Sequence, residues 1–135
     1  MLARVIPTKV HAGLDYATGI LLILAPWIFS FADESSAAAW ISVLAGLAIL
    51  GMSAATNYEG GFLAHAITMR WHLIADAFLG LILVVSPWLF GFADEGANAW
   101  LPFVLIGLIE LGAGALTTPF AADRSMRARE AARAT

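Results

Sequence analysis

Apolar residues run through this chain in four blocks, roughly Val10–Phe31, Ser36–Thr56, Arg70–Phe92 and Ala97–Thr118, with short polar segments between them. At 1.5 Å per residue, each block is long enough for a helix to cross about 30 Å of hydrocarbon. Asp15, Asp76 and Glu110 interrupt the blocks, but the surrounding residues remain apolar enough to insert. The pattern predicts four transmembrane helices, joined as two helical hairpins.

The two hairpins repeat one another. His11, Asp15, Gly19, Pro26-Trp27 and Phe31-Ala32-Asp33-Glu34 return as His72, Asp76, Gly80, Pro87-Trp88 and Phe92-Ala93-Asp94-Glu95, at a constant offset of 61. The correspondence continues through Gly46/Gly107, Gly51/Gly112 and Thr56/Thr117, and 20 of the 46 positions from 11 to 56 match without a gap. An internal repeat takes precedence in reading a fold. It divides the chain into an N-terminal segment 1–9, a first repeat 10–56, an interfacial linker 57–69, a second repeat 70–118 and a basic tail 119–135. The expected fold is an all-α membrane protein: four transmembrane helices built as two tandem hairpin repeats. Each repeat holds an even number of spans, so both insert the same way. A pseudo-two-fold axis along the membrane normal is then expected to relate them.

Composition agrees with a membrane location: 61% of residues are hydrophobic, 13% are charged, and mean hydropathy is +0.83. With no cysteine, disulfides and thiolate metal sites are excluded. All seven basic residues (Arg4, Lys9, Arg70, Arg124, Arg127, Arg129 and Arg133) fall on one side of the predicted topology. The loops within the hairpins carry only Asp33, Glu34, Asp94 and Glu95. The positive-inside rule then assigns both termini and the linker to the cytoplasm. Ser30-Phe31-Ala32 loosely resembles a signal-peptidase site, but Gly91-Phe92-Ala93 repeats the pattern deep in the chain and argues against cleavage.

Several repeated residues read as architecture. Pro26 and Pro87 each free a carbonyl in the preceding turn, which in lipid needs another donor. Ser86 can reach back to the carbonyl of Ile82 or Leu83, whereas its counterpart Ala25 cannot. Trp27, Trp88, Trp40 and Trp100 are placed for an aromatic belt. The Asp-Glu pairs precede the second and fourth spans, where carboxylates suit a helix N-terminus. Ser42, Gly46 and Ser53 in the second span, with Gly107, Gly112 and Gly114 in the fourth, suit close helix packing. The linker reads as a turn, then a short stretch on the inner surface with His65 as an interfacial polar residue. The arginine-rich tail reads as either a surface helix or a disordered segment.

The candidate chemistry lies in one strip. His11, Asp15 and Gly19 are spaced i, i+4, i+8 and share a helical face, as do His72, Asp76 and Gly80. Ionisable residues inside a span are costly and mark functional hypotheses by default. Glu110 breaks the repeat, its counterpart being Ile49. It is expected as a neutral acid or bonded to His72 or His11 across the bundle.

Ser86-Pro87-Trp88, in the first helix of a two-helix repeat, resembles the signature of the SPW-repeat family of small bacterial membrane proteins. The resemblance extends over roughly residues 11–117. The first copy departs from it by one residue, reading Ala25-Pro26-Trp27. It implies an integral protein of the bacterial inner membrane and no particular activity.

Three functions compete. One is a non-enzymatic scaffold or accessory subunit embedded in the lipid bilayer, acting as a homo-oligomer or within a larger membrane complex. The absence of a nucleophile–base set, a phosphate loop or a metal-ligand cluster in sequence favours it. Another is a small transport component moving protons, ions or solute past Asp15, Asp76 and Glu110. The third is a haem protein using His11 and His72 as axial ligands. No catalytic residue, metal site or cofactor is predicted, and no nucleic-acid partner.

Overall fold

The computed structural model describes residues 5–63 and 65–134, with side chains at all of these except 120–126. Arg4 and the Arg124 side chain, used in the orientation reading, lie outside the described residues. The chain forms α1 (Thr8–Ile28), α2 (Ser36–Ala55), α3 (Met69–Leu89), α4 (Ala97–Leu116) and a shorter α5 (Phe120–Arg133). The first four are long and apolar enough to cross a membrane. Among the described residues the only extended pairings are two isolated bridges. This is an all-helical, multi-pass membrane protein in which α1 packs along α2 and α3 along α4. The tail is helical rather than disordered.

Its burial pattern suits lipid. Ile20, Leu44, Leu47, Phe78, Leu81, Leu105 and Leu108 face outward, while Thr18, Ser42, Ser53, Ser86 and Glu110 are buried. Such an exterior would be untenable in water, and in a bilayer it is the favourable arrangement.

Within each hairpin, glycines set the helix separation. A Cβ added at Gly46 would lie 2.5 Å from the Gly19 carbonyl oxygen, and one at Gly107 would lie 2.6 Å from that of Gly80. Backbones this close leave no room for a methyl group, so the repeated glycines on α1 and α3 meet those on α2 and α4.

α1 and α3 end earlier than the apolar blocks do. Ser30 (φ 60°) and Gly91 (φ 76°) turn the chain into the left-handed region. The Phe31 and Phe92 N–H groups then donate to the carbonyls of Pro26 and Pro87 at 2.9 and 2.8 Å. In α1 the Ser30 N–H also donates to Trp27, at 3.3 Å, completing a Schellman stop. The turn tucks both phenylalanines into the core against Phe103, with ring centroids 6.0 and 4.8 Å away. The repeated Phe-Ala-Asp-Glu is therefore a core anchor. Its acids do not cap the next helices, because the chain reaches the cap position one residue later. Ser35 accepts from the Ala38 N–H at 3.2 Å, and Gly96 occupies the equivalent place before α4. Glu34 instead accepts from Asn98 Nδ2 at 2.7 Å, joining the hairpins at this end.

The proline-freed carbonyls find donors in two ways. In α3 the Ser86 hydroxyl donates to the Leu83 carbonyl at 2.7 Å, within its own helix. In α1 the Leu22 carbonyl accepts from Ser42 on α2 at 2.6 Å. The counterpart of Ser86 is Ala25 and that of Ser42 is Phe103, so each hairpin carries one hydroxyl, on a different helix.

At the other end of the bundle the hairpins exchange their lead-in segments. Ile6 bridges to Thr117 and Ile67 to Thr56. The Ile6 N–H donates to Leu116 at 3.0 Å and the Thr118 N–H to Ile6 at 3.1 Å. Sixty-one positions away, the Ile67 N–H donates to Ala55 at 3.2 Å and the Asn57 N–H to Ile67 at 2.8 Å. Each hairpin's entry strand is thus held by the exit of the other. The His-Asp strips lie directly above these bridges.

Candidate functional site

His11 and Asp15 on α1 meet His72 and Asp76 on α3 in the middle of the bundle, and all four are at most 1% exposed. Each histidine contacts the aspartate of the opposite hairpin: His11 Nε2 lies 2.9 Å from Asp76 Oδ2, and His72 Nε2 lies 2.9 Å from Asp15 Oδ2. Contacts to the aspartate of the same helix are longer. They are 3.2 Å from His11 Nε2 to Asp15 Oδ1 and 3.2 Å from His72 Nε2 to Asp76 Oδ2. The two Nε2 atoms are themselves 3.2 Å apart. One turn of helix places each carboxylate beside its own imidazole, and the exchanged entry strands bring the two strips face to face.

The other ring nitrogens fix the tautomers. His11 Nδ1 is 2.8 Å from Thr117 Oγ1 and His72 Nδ1 is 2.7 Å from Thr56 Oγ1. Both threonine hydroxyls already donate, to the carbonyls of Ala113 and Met52 at 2.6 and 2.7 Å. They can only accept from the rings, so the hydrogen-bond network assigns a proton to each Nδ1. The Nε2 atoms, directed at the carboxylates, are the chemically open positions.

The surroundings of the two aspartates differ. Asp15 Oδ2 also accepts from Ser53 at 2.7 Å and from Tyr58 at 3.2 Å. The positions equivalent to these around Asp76 are Gly114 and Pro119, which supply no hydroxyl. Asp15 Oδ1 and Asp76 Oδ1 are buried without a hydrogen-bond partner. Tyr58, in the linker, sits over the cluster with its ring 5.4 Å from that of His72. Burial, reinforced by the charge of Asp15, holds its phenol above the usual tyrosine range, so it remains a donor. The linker is also pinned by Thr8 donating to Glu59 at 2.7 Å and Tyr16 donating to the Gly60 carbonyl at 2.7 Å.

Glu110 lies apart from the histidines. It is buried on α4, where Oε1 accepts from Thr18 on α1 at 2.6 Å and Oε2 has no hydrogen-bond partner. The expected bond to His11 or His72 does not form, because both imidazoles are committed to threonines and aspartates. His65 is exposed in the linker, away from the cluster. Trp27 and Trp88 are largely exposed beside Pro26 and Pro87, in the half of the bundle remote from the histidines.

A haem between His11 and His72 does not fit this geometry. Their Nε2 atoms are in hydrogen-bonding range of one another, with carboxylate oxygens wedged alongside. No planar macrocycle can pass between them.

The SPW repeat domain matches residues 9–117, nearly all of the four-helix region. The chain belongs to that family. No curated protein and no solved structure matches it. In this SPW family member the Ser86 hydroxyl has a definite task, satisfying the carbonyl that Pro87 frees in the turn before it. The serine missing from the first copy is replaced by Ser42 from the neighbouring helix.

Of the residues expected to carry the chemistry, His11, Asp15, His72 and Asp76 come together in the structure, and Glu110 lies elsewhere. Thr8, Thr56, Tyr58 and Thr117 join the surroundings of the cluster without having stood out in sequence as site residues. The recurrence of threonine at 56 and 117 was the available signal, since a polar residue kept in both copies at a helix end has a bonding partner to explain.

Proposed function

We propose that this protein is a non-enzymatic membrane scaffold or accessory subunit whose two hairpins are locked by the His–Asp cluster. The carrying observation is that the buried ionisable groups bond to one another across the hairpins, His11 to Asp76 and His72 to Asp15, while the outer helical surface is apolar. Polar groups engaged in this way hold a bundle together in a medium that offers no water.

On this reading the repeats are 10–56 and 70–118, related by a pseudo-two-fold axis along the membrane normal. The reciprocal contacts at a 61-residue offset support that relation. The basic residues orient the linker and both termini to the cytoplasmic side of a bacterial inner membrane, and the lipid-facing helices associate with further copies or a larger complex.

A second reading, transport of protons or another small ion, is favoured by Glu110, buried in a span with one carboxylate oxygen unpartnered. A proteoliposome flux assay on wild type, Glu110→Gln and Asp76→Asn separates the two. The scaffold reading expects background flux in all three, together with a stable oligomer in mild detergent. Flux in the wild type that either substitution removes would replace it with transport.

A further inference from the structure

We propose that His11, Asp15, His72 and Asp76 form a four-coordinate site for one divalent transition-metal ion of the zinc class. Each residue offers one ligand atom, and these atoms all lie within 4.8 Å of one another. The ring tautomers carry the argument. In the metal-free cluster an Nε2 proton on each ring makes the His–Asp bonds. With each Nδ1–H kept on a threonine oxygen, loss of that Nε2 proton to an incoming cation turns the lone pair of Nε2 toward the cluster. Two such lone pairs face each other at 3.2 Å, with carboxylate oxygens at 2.9 Å from each. Ser53 and Tyr58 donate to Asp15 Oδ2 alone, so among the described residues Asp76 Oδ2 and the two Nε2 atoms converge without a neutral donor, and a cation at the centre satisfies all four acceptors.

The remaining observations agree. Asp15 Oδ1 and Asp76 Oδ1 are buried without hydrogen-bond partners, so the cluster has more acceptors than the protein has donors for. Two carboxylates neutralise a divalent ion completely, which matters where an unbalanced charge is costly. Zinc–nitrogen and zinc–oxygen bonds of about 2.0–2.2 Å give tetrahedral edges of roughly 3.3–3.6 Å. The imidazole contacts here are 2.9–3.2 Å, and the four ligand atoms all lie within 4.8 Å of one another. Side-chain adjustments that open the shortest of these separations and close the widest accommodate the ion. The Thr117–His11 and Thr56–His72 bonds are the outer-shell contacts that orient imidazole ligands on a metal. Two imidazoles favour a transition metal over calcium or magnesium, and complete burial by four protein ligands is the pattern of a structural ion. The ion would clamp α1 to α3. This rests on the scaffold reading only in giving the ion a structural role.

The experiment uses the full chain, purified in mild detergent from cells grown with added zinc. Metal analysis is expected to find about one zinc per chain, as a closed four-ligand site holds one ion. Metal-free protein titrated with Co²⁺ is expected to develop the intense visible absorption of tetrahedral cobalt. The Asp15→Asn/Asp76→Asn variant should lose both signals, and exposed His65→Ala should keep them. Thr56→Val, which retains every ligand, should weaken binding about 10–100-fold. Should the double variant fail to fold, the wild type and Thr56→Val decide. Wild type without stoichiometric zinc and without a cobalt band overturns the proposal, as does full binding by a folded double variant. Neither result bears on flux or oligomeric state, so the scaffold reading is judged separately.

Discussion

Thr18 on α1 donates to Glu110 on α4 at 2.6 Å, and the positions 61 residues away from each, Leu79 and Ile49, are both apolar. One interface between the hairpins is thus sealed by a buried hydrogen bond, and its counterpart by aliphatic packing, with Ile49 in the core and Leu79 against it. The two halves diverged here as a pair. Thr18→Leu should leave the Glu110 carboxyl without its donor and cost about 1–3 kcal/mol. Glu110→Ile should cost less, because the single Thr18 hydroxyl proton, freed from the carboxyl, has the Leu14 and Asp15 carbonyls within reach at 2.9 and 3.2 Å as alternative acceptors. The double variant, which copies the other interface, should return close to wild-type stability. Unfolding in detergent followed by circular dichroism reads all three.

The Leu22 carbonyl gives a second exchange. Ser42→Ala should orphan it and destabilise the protein by about 1–3 kcal/mol. Adding Ala25→Ser restores the Ser-Pro-Trp sequence and should recover most of the loss, with the donor now in the same helix. Thermal stability that is equal with and without Ala25→Ser would contradict this account of the motif.

Gly46→Ala and Gly107→Ala should each force helices apart, costing about 1–3 kcal/mol or more as overpacking does. Gly51 and Gly112, the other repeated glycines of α2 and α4, have open space where a Cβ would go. Alanine there should be neutral or stabilising by up to about 1 kcal/mol. Parallel melting curves of the four variants distinguish packing from a general intolerance of substitution.

Tyr58 supplies a pH dependence of known sign. Its phenol is held above the ordinary value of about 10 in the folded protein, so above that pH the unfolded chain binds fewer protons than the folded one. The Tyr58 contribution is therefore fully present below pH of about 10 and is lost as pH rises toward the folded value. Tyr58→Phe should flatten this part of the stability profile. A decline of equal steepness in the variant would assign it to other groups.

The apolar blocks, their pairing into hairpins and the offset of 61 were all legible in the sequence, because lipid imposes length and repetition imposes correspondence. Helix ends were less so. Gly91 marks one turn, but Ser30 makes the same left-handed turn with nothing in its residue type to announce it. The spacing of His11 and Asp15 gave the face they share. It could not give what that face meets, since the answer depends on entry strands exchanged between hairpins. The joining of four side chains in one cluster was not legible for the same reason: each helix carries only two of them, separated from the others by the length of a repeat. Glu110 stands out in sequence by breaking the repeat; that its partner Thr18 breaks it too, against Leu79, becomes apparent only once the structure joins them.

The central claim is that the strips of the two hairpins bond to each other, and a double-mutant cycle between His11 and Asp76 tests it most directly. His11→Asn and Asp76→Asn should each cost about 3–5 kcal/mol, since each leaves a buried polar partner uncompensated. The double variant should cost well under the sum, with a coupling of at least about 1 kcal/mol. Strictly additive losses between these residues, 65 positions apart in sequence, would contradict the clasp.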